Sequence, residues 1–157
     1  GLIQTFLADE AATVDVGGKI GAALIAGNVV FLEGELGAGK TTFTRGVLRA
    51  RGHTGAVKSP TYTLCEPYEL DDTHLVCHID LYRLSDPEEL EFLGFRDYLA
   101  SGAIVLIEWP SRGEGWLPNP DLKIELSERG SGRALRVLAL TTHGSQVLER
   151  CGVDHVE

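Results

Sequence analysis

Nine consecutive residues, Gly34-Glu35-Leu36-Gly37-Ala38-Gly39-Lys40-Thr41-Thr42, constrain this chain more than any other segment. They satisfy Gly-x4-Gly-Lys-Thr, the Walker A pattern. With Gly at about 7% of average composition, that pattern arises by accident in roughly one chain of this length in two hundred. Residues 29–32, Val-Val-Phe-Leu, precede it as a continuous apolar run of strand length. Residues 43–51 follow at helical spacing, and Gly52 supplies a stop. Strand, glycine loop and helix in this order form the first half of a βαβ unit. The glycines permit backbone conformations that a side chain forbids, so successive N–H groups from Glu35 to Thr42 can turn inward around phosphate oxygens. The N-terminus of the following helix adds its positive dipole end at the same place. Lys40 is suited to the β- and γ-phosphates and Thr41 to Mg²⁺. No Asn/Thr-Lys-x-Asp stretch of the kind guanine readers use occurs, which favours ATP or a permissive pocket.

The remaining patterns extend this unit into an α/β chain. Residues 2–7 read as a short strand, and Asp9 offers an N-cap to an Ala-rich helix over 10–26. Strands are expected at 63–70 and 75–80 with Asp71-Asp72 turning between them, and a fully apolar one at 103–107. Asp86-Pro87-Glu88-Glu89 has the form of a helix start. Leu122, Ile124 and Leu126 alternate with polar residues, and Arg129-Gly130-Ser131-Gly132 turns them into a second strand over 133–141, a hairpin. A terminal helix fits 143–151. The expected architecture is a single-domain P-loop NTPase over residues 1–157, with a mostly parallel central sheet flanked by helices and an antiparallel hairpin.

Two carboxylates stand at strand ends where such a loop needs acids for its metal. Glu108 closes the run 104–107, the position of a Walker B acid, and Asp80 closes 75–79. Spacing alone does not say which binds metal and which orients water. His78, two residues before Asp80, shares its face and is placed to support it. Ser59-Pro60-Thr61-Tyr62-Thr63 follows the glycine-loop helix, and Pro60 aims Thr61 as a γ-phosphate-sensing threonine would be aimed, or the stretch is an ordinary polar connection. Trp109, next to Glu108, is either a wall of the nucleotide pocket or plain core. His74, Cys77 and His78 do not make a zinc site, because Cys77 faces away from His78 on a strand. Arg112, Arg129, Arg133 and Arg136 are candidates for contacts to nucleotide or partner, with solubility as their default role.

Charge narrows the partners. Lys and Arg number 14 against 23 Asp and Glu, a net charge of −9, which argues against a chain that grips a phosphate backbone by itself. Residues 66–97 hold ten acids against Arg83 and Arg96, a solvated face or a dock for a basic partner. Three cysteines without Cys-x-x-Cys spacing fit a reducing compartment. The charge-free stretch 20–32 has 13 residues where a spanning helix needs about 20. A cytoplasmic protein without membrane association is expected.

The set as a whole resembles the TsaE family of small bacterial P-loop ATPases. The resemblance rests on the Walker A segment, Ser59-Pro60-Thr61-Tyr62-Thr63-Leu64, His78-Ile79-Asp80-Leu81-Tyr82-Arg83-Leu84, Asp86-Pro87-Glu88-Glu89-Leu90 and Ile107-Glu108-Trp109-Pro110. It implies an ATPase required for the threonylcarbamoyl modification of the adenosine next to the anticodon in tRNAs reading ANN codons. It implies TsaD and TsaB as partners, with tRNA reached through them. It places the phosphate-binding loop at Glu35–Thr42, Mg²⁺ ligands at Thr41 and Glu108, an essential acid at Asp80 and a switch-like loop at Ser59–Leu64, with Arg133 a candidate for a C-terminal arginine contact. On this reading Lys40, Asp80, Glu108 and Thr61 carry the chemistry. Two other readings stand beside it: a small nucleoside or nucleotide kinase, which lacks an Arg-bearing lid here, and a nucleotide-gated binding module that does not hydrolyse.

Overall fold

The computed structural model describes residues 1–57, 65–69, 75–92 and 94–153. Thr61 and the rest of Ser59–Leu64, the Asp71-Asp72 turn and His74 lie outside them. The elements run β1 (Leu2–Leu7), α1 (Glu10–Ala23), β2 (Val29–Glu33), α2 (Lys40–Ala50), β3 (Cys65–Glu69), β4 (Leu75–Asp80), α3 (Glu89–Phe92), α4 (Phe95–Ala100), β5 (Ile104–Glu108), a 3₁₀ turn (Pro110–Gly113), β6 (Leu122–Arg129), β7 (Gly132–Ala139) and α5 (Thr142–Arg150).

Seven strands form one mixed sheet in the order β1-β7-β6-β2-β5-β4-β3. The central strands β6, β2, β5 and β4 run parallel, whereas β1–β7, β7–β6 and β4–β3 pair antiparallel. The expectation of a mostly parallel sheet therefore needs correction: half of the pairings are antiparallel. The difference comes from β1, whose short N-terminal run joins the outer edge of the β6–β7 hairpin, and from β3, which adds antiparallel to the other edge. The apolar runs of β2 and β5 lie in the parallel centre, whereas β6 alternates and turns Lys123 and Glu125 to a half-exposed face. On one face α1, α2 and α5 contribute Ile20, Phe43, Val47 and Leu148 to a core with Val30, Leu32 and Leu106. On the other, Leu90 of α3 and Phe95 of α4 pack on Cys77, Ile79, Val105 and Ile107.

Local chemistry explains where the helices stop. Asp9 Oδ1 caps α1 by accepting from the Ala12 N–H at 2.8 Å. The helix ends at Ala23, three residues before the sequence estimate, where Leu24 turns extended and the carbonyls left open at the end are taken up from outside. Arg51 donates to Gly21 O and Leu24 O, and Arg150 to Ala23 O. Asn28 Oδ1 then accepts from the Ile25 N–H at 2.7 Å and turns the chain into β2. Asp121, at the entry to β6, accepts from the Val29 N–H at 2.9 Å and from Thr141 Oγ1 at 2.7 Å, so one carboxylate pins the starts of β2 and α5.

α1 and α2 lie unusually close. A Cβ on Gly17 would stand 2.4 Å from Phe43 O, one on Gly21 2.6 Å from Val47 Cα, and one on Gly46 2.3 Å from Val14 O. Real Cβ atoms do not approach backbone at these distances, so three glycines set the spacing and thereby the seat of α2 on the sheet.

Candidate functional site

α2 begins at Lys40, three residues earlier than its apolar spacing suggests, so the helix starts inside the glycine motif. Its N-cap is Gly39 at φ 105°, a left-handed conformation open to glycine, and no side chain caps the first turn. The amides of that turn are left available to a ligand. Where the loop leaves β2, Gly34 passes so near β6 that a Cβ would meet Leu126 O at 2.5 Å.

The site forms at the C-terminal ends of the parallel strands, the usual place for ligands in open α/β sheets. Register explains its membership. Leu32 of β2 stands beside Glu108 of β5, and Glu108 beside Asp80 of β4. Both acids close apolar strands, both are buried, and both face the start of α2. A cavity of about 320 Å³ is lined by Gly37, Gly39, Lys40, Thr41, Thr42, Asp80, Glu108, Trp109 and Leu36. The expected residues Lys40 and Thr41, Asp80, and Glu108, drawn from three separate segments, thus share one hollow.

Lys40 is itself buried, 5% exposed. Its Nζ donates to the Gly34 carbonyl, lies 3.9 Å from Glu108 Oε1 and sits 4.1 Å above the Trp109 ring centroid. Burial holds the Lys40 ammonium below the ordinary lysine range, opposed by the charges of Glu108, Asp80 and Glu35 in that order. Asp80 Oδ1 accepts from the Tyr82 N–H at 2.9 Å, which fixes its carboxylate against its own loop. Trp109 has φ 55° and ψ 50°, the one non-glycine residue at positive φ among the described residues. A bulky side chain in that conformation is uncommon and costs energy. Here it turns the indole back over Lys40 and against Tyr82, whose ring centroid is 5.0 Å away.

Two contacts escaped the sequence reading. His78 shares a strand face with Asp80, but its Nε2 meets Glu108 Oε2 on the neighbouring strand at 2.6 Å. The expected support goes to the other acid. Arg133 on β7 donates from Nε to Ala38 O and from Nη2 to Gly37 O, both at 3.1 Å, and so straps the loop from outside. Beside that strap a second hollow of about 160 Å³ lies between Leu7, Asp9, Thr13, Gly37, Gly132 and Arg133, and it shares Gly37, Gly39 and Thr42 with the first. The sequence offered Arg133 only as one of four arginines that could contact nucleotide or partner; nothing local revealed that it faces loop carbonyls. Arg136 pairs with Glu125 at 2.9 Å on an exposed face, away from both hollows.

Comparison with known proteins gives a consistent result. The family model described as threonylcarbamoyl adenosine biosynthesis protein TsaE matches residues 7–135. A Haemophilus influenzae protein named tRNA threonylcarbamoyladenosine biosynthesis protein TsaE is 48% identical over 120 residues, 76% of this chain and 75% of its own. A Bacillus subtilis protein of the same name is 38% identical over 125 residues, 80% of this chain and 76% of its own. Among solved structures, that of Bacillus subtilis YdiB superposes with a TM-score of 0.82 at 28% identity, covering 96% of this chain and 94% of that one.

Proposed function

Since the chain belongs to the TsaE family, we propose that it acts in tRNA threonylcarbamoyladenosine biosynthesis as an ATPase, working on a complex of TsaD and TsaB that holds the tRNA. The observation that carries the catalytic half of this reading is the meeting of Lys40, inside a glycine loop at an uncapped helix start, with two buried strand-end carboxylates in one cavity.

The donor set suits Mg²⁺. Two buried carboxylates, Glu108 and Asp80, face a single ammonium, with the Thr41 hydroxyl in the same lining. That leaves an oxygen-rich, net negative site of the kind hard divalent cations select. Thr41 and Glu108 would hold the ion. When bound, Mg²⁺ neutralises charge on the β- and γ-phosphate oxygens.

The chain's own residues do the rest. Loop amides from Glu35 to Thr42 bind the polyphosphate, and Lys40 exchanges the Gly34 carbonyl for phosphate oxygens. The hollow between Leu7, Thr13 and Arg133 takes the nucleoside. Asp80 accepts a hydrogen bond from the attacking water and orients it. The water oxygen bonds to the γ-phosphorus as the bond to the β,γ-bridging oxygen breaks. ADP leaves with that oxygen, and the water's protons pass to phosphate and solvent. Trp109 roofs the lysine and limits water at the reacting centre.

No arginine lines the cavity among the described residues. A finger arginine is worth about 10³–10⁵ in rate, so hydrolysis by the isolated chain is slow and the TsaD–TsaB complex accelerates it. A net charge of −9 agrees with a protein that reaches tRNA through partners. Reconstituted tRNA modification, followed over many turnovers with wild type, Lys40→Ala or no protein, tests the reading. Product accumulates with wild type alone, and equal yields in all three refute it. Asp80→Ala separates hydrolysis from a binding-only role, because a pure binding module keeps full yield without turnover.

A further inference from the structure

Within that reading, which makes Glu108 a metal ligand, one buried group has no assigned task. His78 is fully buried on β4, and its Nε2 lies 2.6 Å from Glu108 Oε2. A carboxylate only accepts, so Nε2 carries the proton. Nδ1 is buried with no partner among the described residues. A bare lone pair there is tolerated more readily than a stranded N–H, which selects the Nε2–H tautomer.

An imidazole is a poor choice for packing alone at this position. Its strand-face neighbours are Val76, Asp80 and, across the register, Leu106, and the imidazole leaves Nδ1 buried with no partner among the described residues, a cost that packing alone does not offset. What the histidine adds is an anchor on one of the two oxygens of Glu108. A glutamate's last torsion is broad and roughly two-fold, so an anchor on one oxygen narrows the orientations its carboxylate samples. With Oε2 tied to His78, Oε1 is the oxygen turned towards Lys40, at 3.9 Å. Bound in this way, the carboxylate offers a single oxygen in a fixed direction.

We propose that His78 is a positioning residue for the metal site: its Nε2–H holds Glu108 so that Oε1 alone is presented to the ion. It touches neither nucleotide nor metal and acts through the glutamate. Partners of this kind are worth 10–100-fold in metal affinity.

The test measures ADP affinity calorimetrically on the whole chain, once with Mn²⁺ and once with EDTA. The ratio of the two is the gain supplied by the metal. His78→Leu lowers that gain by about 10-fold or more and leaves the EDTA value unchanged. His78→Gln, whose amide N–H reaches Glu108, keeps the gain within about 3-fold of wild type. A packing role alone lowers the melting temperature and leaves the gain intact, and that result overturns the proposal. Glu108→Ala distinguishes the two levels of inference. If it retains the gain, Glu108 is no ligand and the metal site falls together with this proposal. If it loses the gain while His78→Leu keeps it, this proposal alone falls. Should His78→Leu fail to fold, ¹⁵N spectra of the metal-free wild type and the His78→Gln titration decide: an Nδ1–H tautomer, or a gain lost in His78→Gln, refutes it.

Discussion

Gly17 and Gly18 are neighbours in α1, yet alanine should have opposite effects at the two. Both positions gain from leaving glycine in a helix interior, by about 0.5–1 kcal/mol. At Gly18 nothing opposes the gain: a new methyl meets Gly46 O at 3.6 Å and Ala50 Cβ at 3.7 Å, ordinary contact distances. At Gly17 the methyl would lie 2.4 Å from Phe43 O. Relieving that overlap requires α1 and α2 to part by about an ångström, since a main-chain carbonyl has no rotamer in which to escape. Overpacking costs about 1–3 kcal/mol, and a backbone obstacle belongs at the upper end. The net expectation is a loss of about 2 kcal/mol for Gly17→Ala and a gain of about 0.5–1 kcal/mol for Gly18→Ala. For a chain of this size that is about 4–8 °C down and about 1–4 °C up in Tm. Urea unfolding with matched slopes, checked by calorimetry, measures both. Phe43 lies in the first turn of α2, so parting the helices also shifts the glycine loop, and Gly17→Ala should weaken nucleotide binding where Gly18→Ala does not. If both variants are stabilised, the glycines do not set the helix spacing and the link from α1 to the loop is wrong.

Two further outcomes follow from the site. Arg133→Ala removes two charge-assisted hydrogen bonds from loop carbonyls, so nucleotide affinity should drop by about 10-fold with little loss of Tm. Arg133→Lys should not restore it, because a single ammonium does not reproduce the two-pronged contact; full affinity in either variant, read by calorimetry, removes the strap. Because burial lowers the affinity of Lys40 for its proton, some of it is neutral at alkaline pH below the ordinary lysine range, and the charge of bound polyphosphate draws the proton back. ATP binding there should take up a proton, seen as a dependence of binding heat on buffer ionisation, and Lys40→Met should abolish the uptake. By the same sign the unfolded chain holds this proton more tightly, so Lys40's contribution makes stability rise with pH between the folded and unfolded pKa values.

The reach of the sequence depends on whether a feature is local. Residues 34–42 carry their conformation and their chemistry in one contiguous stretch, and Asp9 caps the helix that begins at the next residue through an amide three residues on; both were legible. Glu108 and Asp80 were legible as acids that end apolar runs, and the register that sets them side by side follows once those runs pair in parallel. The break between α3 and α4 was not: Gly94 at φ 70° divides what the Asp86-Pro87 start announces as one helix. His78 has a neighbour two residues away that suggested one partner, while sheet order supplied another from thirty residues on. The glycines at 17, 21 and 46 read as composition until two helices were seen to cross at them. Positive φ at Trp109 has no sequence signature, because glycine is the residue that conformation favours.

The antiparallel wing shows why the sheet's departure from a mostly parallel design matters to the site. A parallel strand after β6 would need a crossover of a dozen or more residues, which would carry the chain over the sheet face and away from its strand ends. The turn between β6 and β7 instead reverses the chain at Gly130-Ser131, beside the glycine loop, and Arg133 is delivered to Gly37 and Ala38 as soon as β7 begins. β1 then pairs with β7 from Leu2↔Leu138 to Leu7↔Arg133, which brings Leu7 and Asp9 to the same hollow. The parallel centre supplies the acids and the lysine, and the antiparallel edge supplies the strap and the second hollow. Cutting that edge away should therefore cost nucleotide affinity even though every residue of the Walker A segment remains.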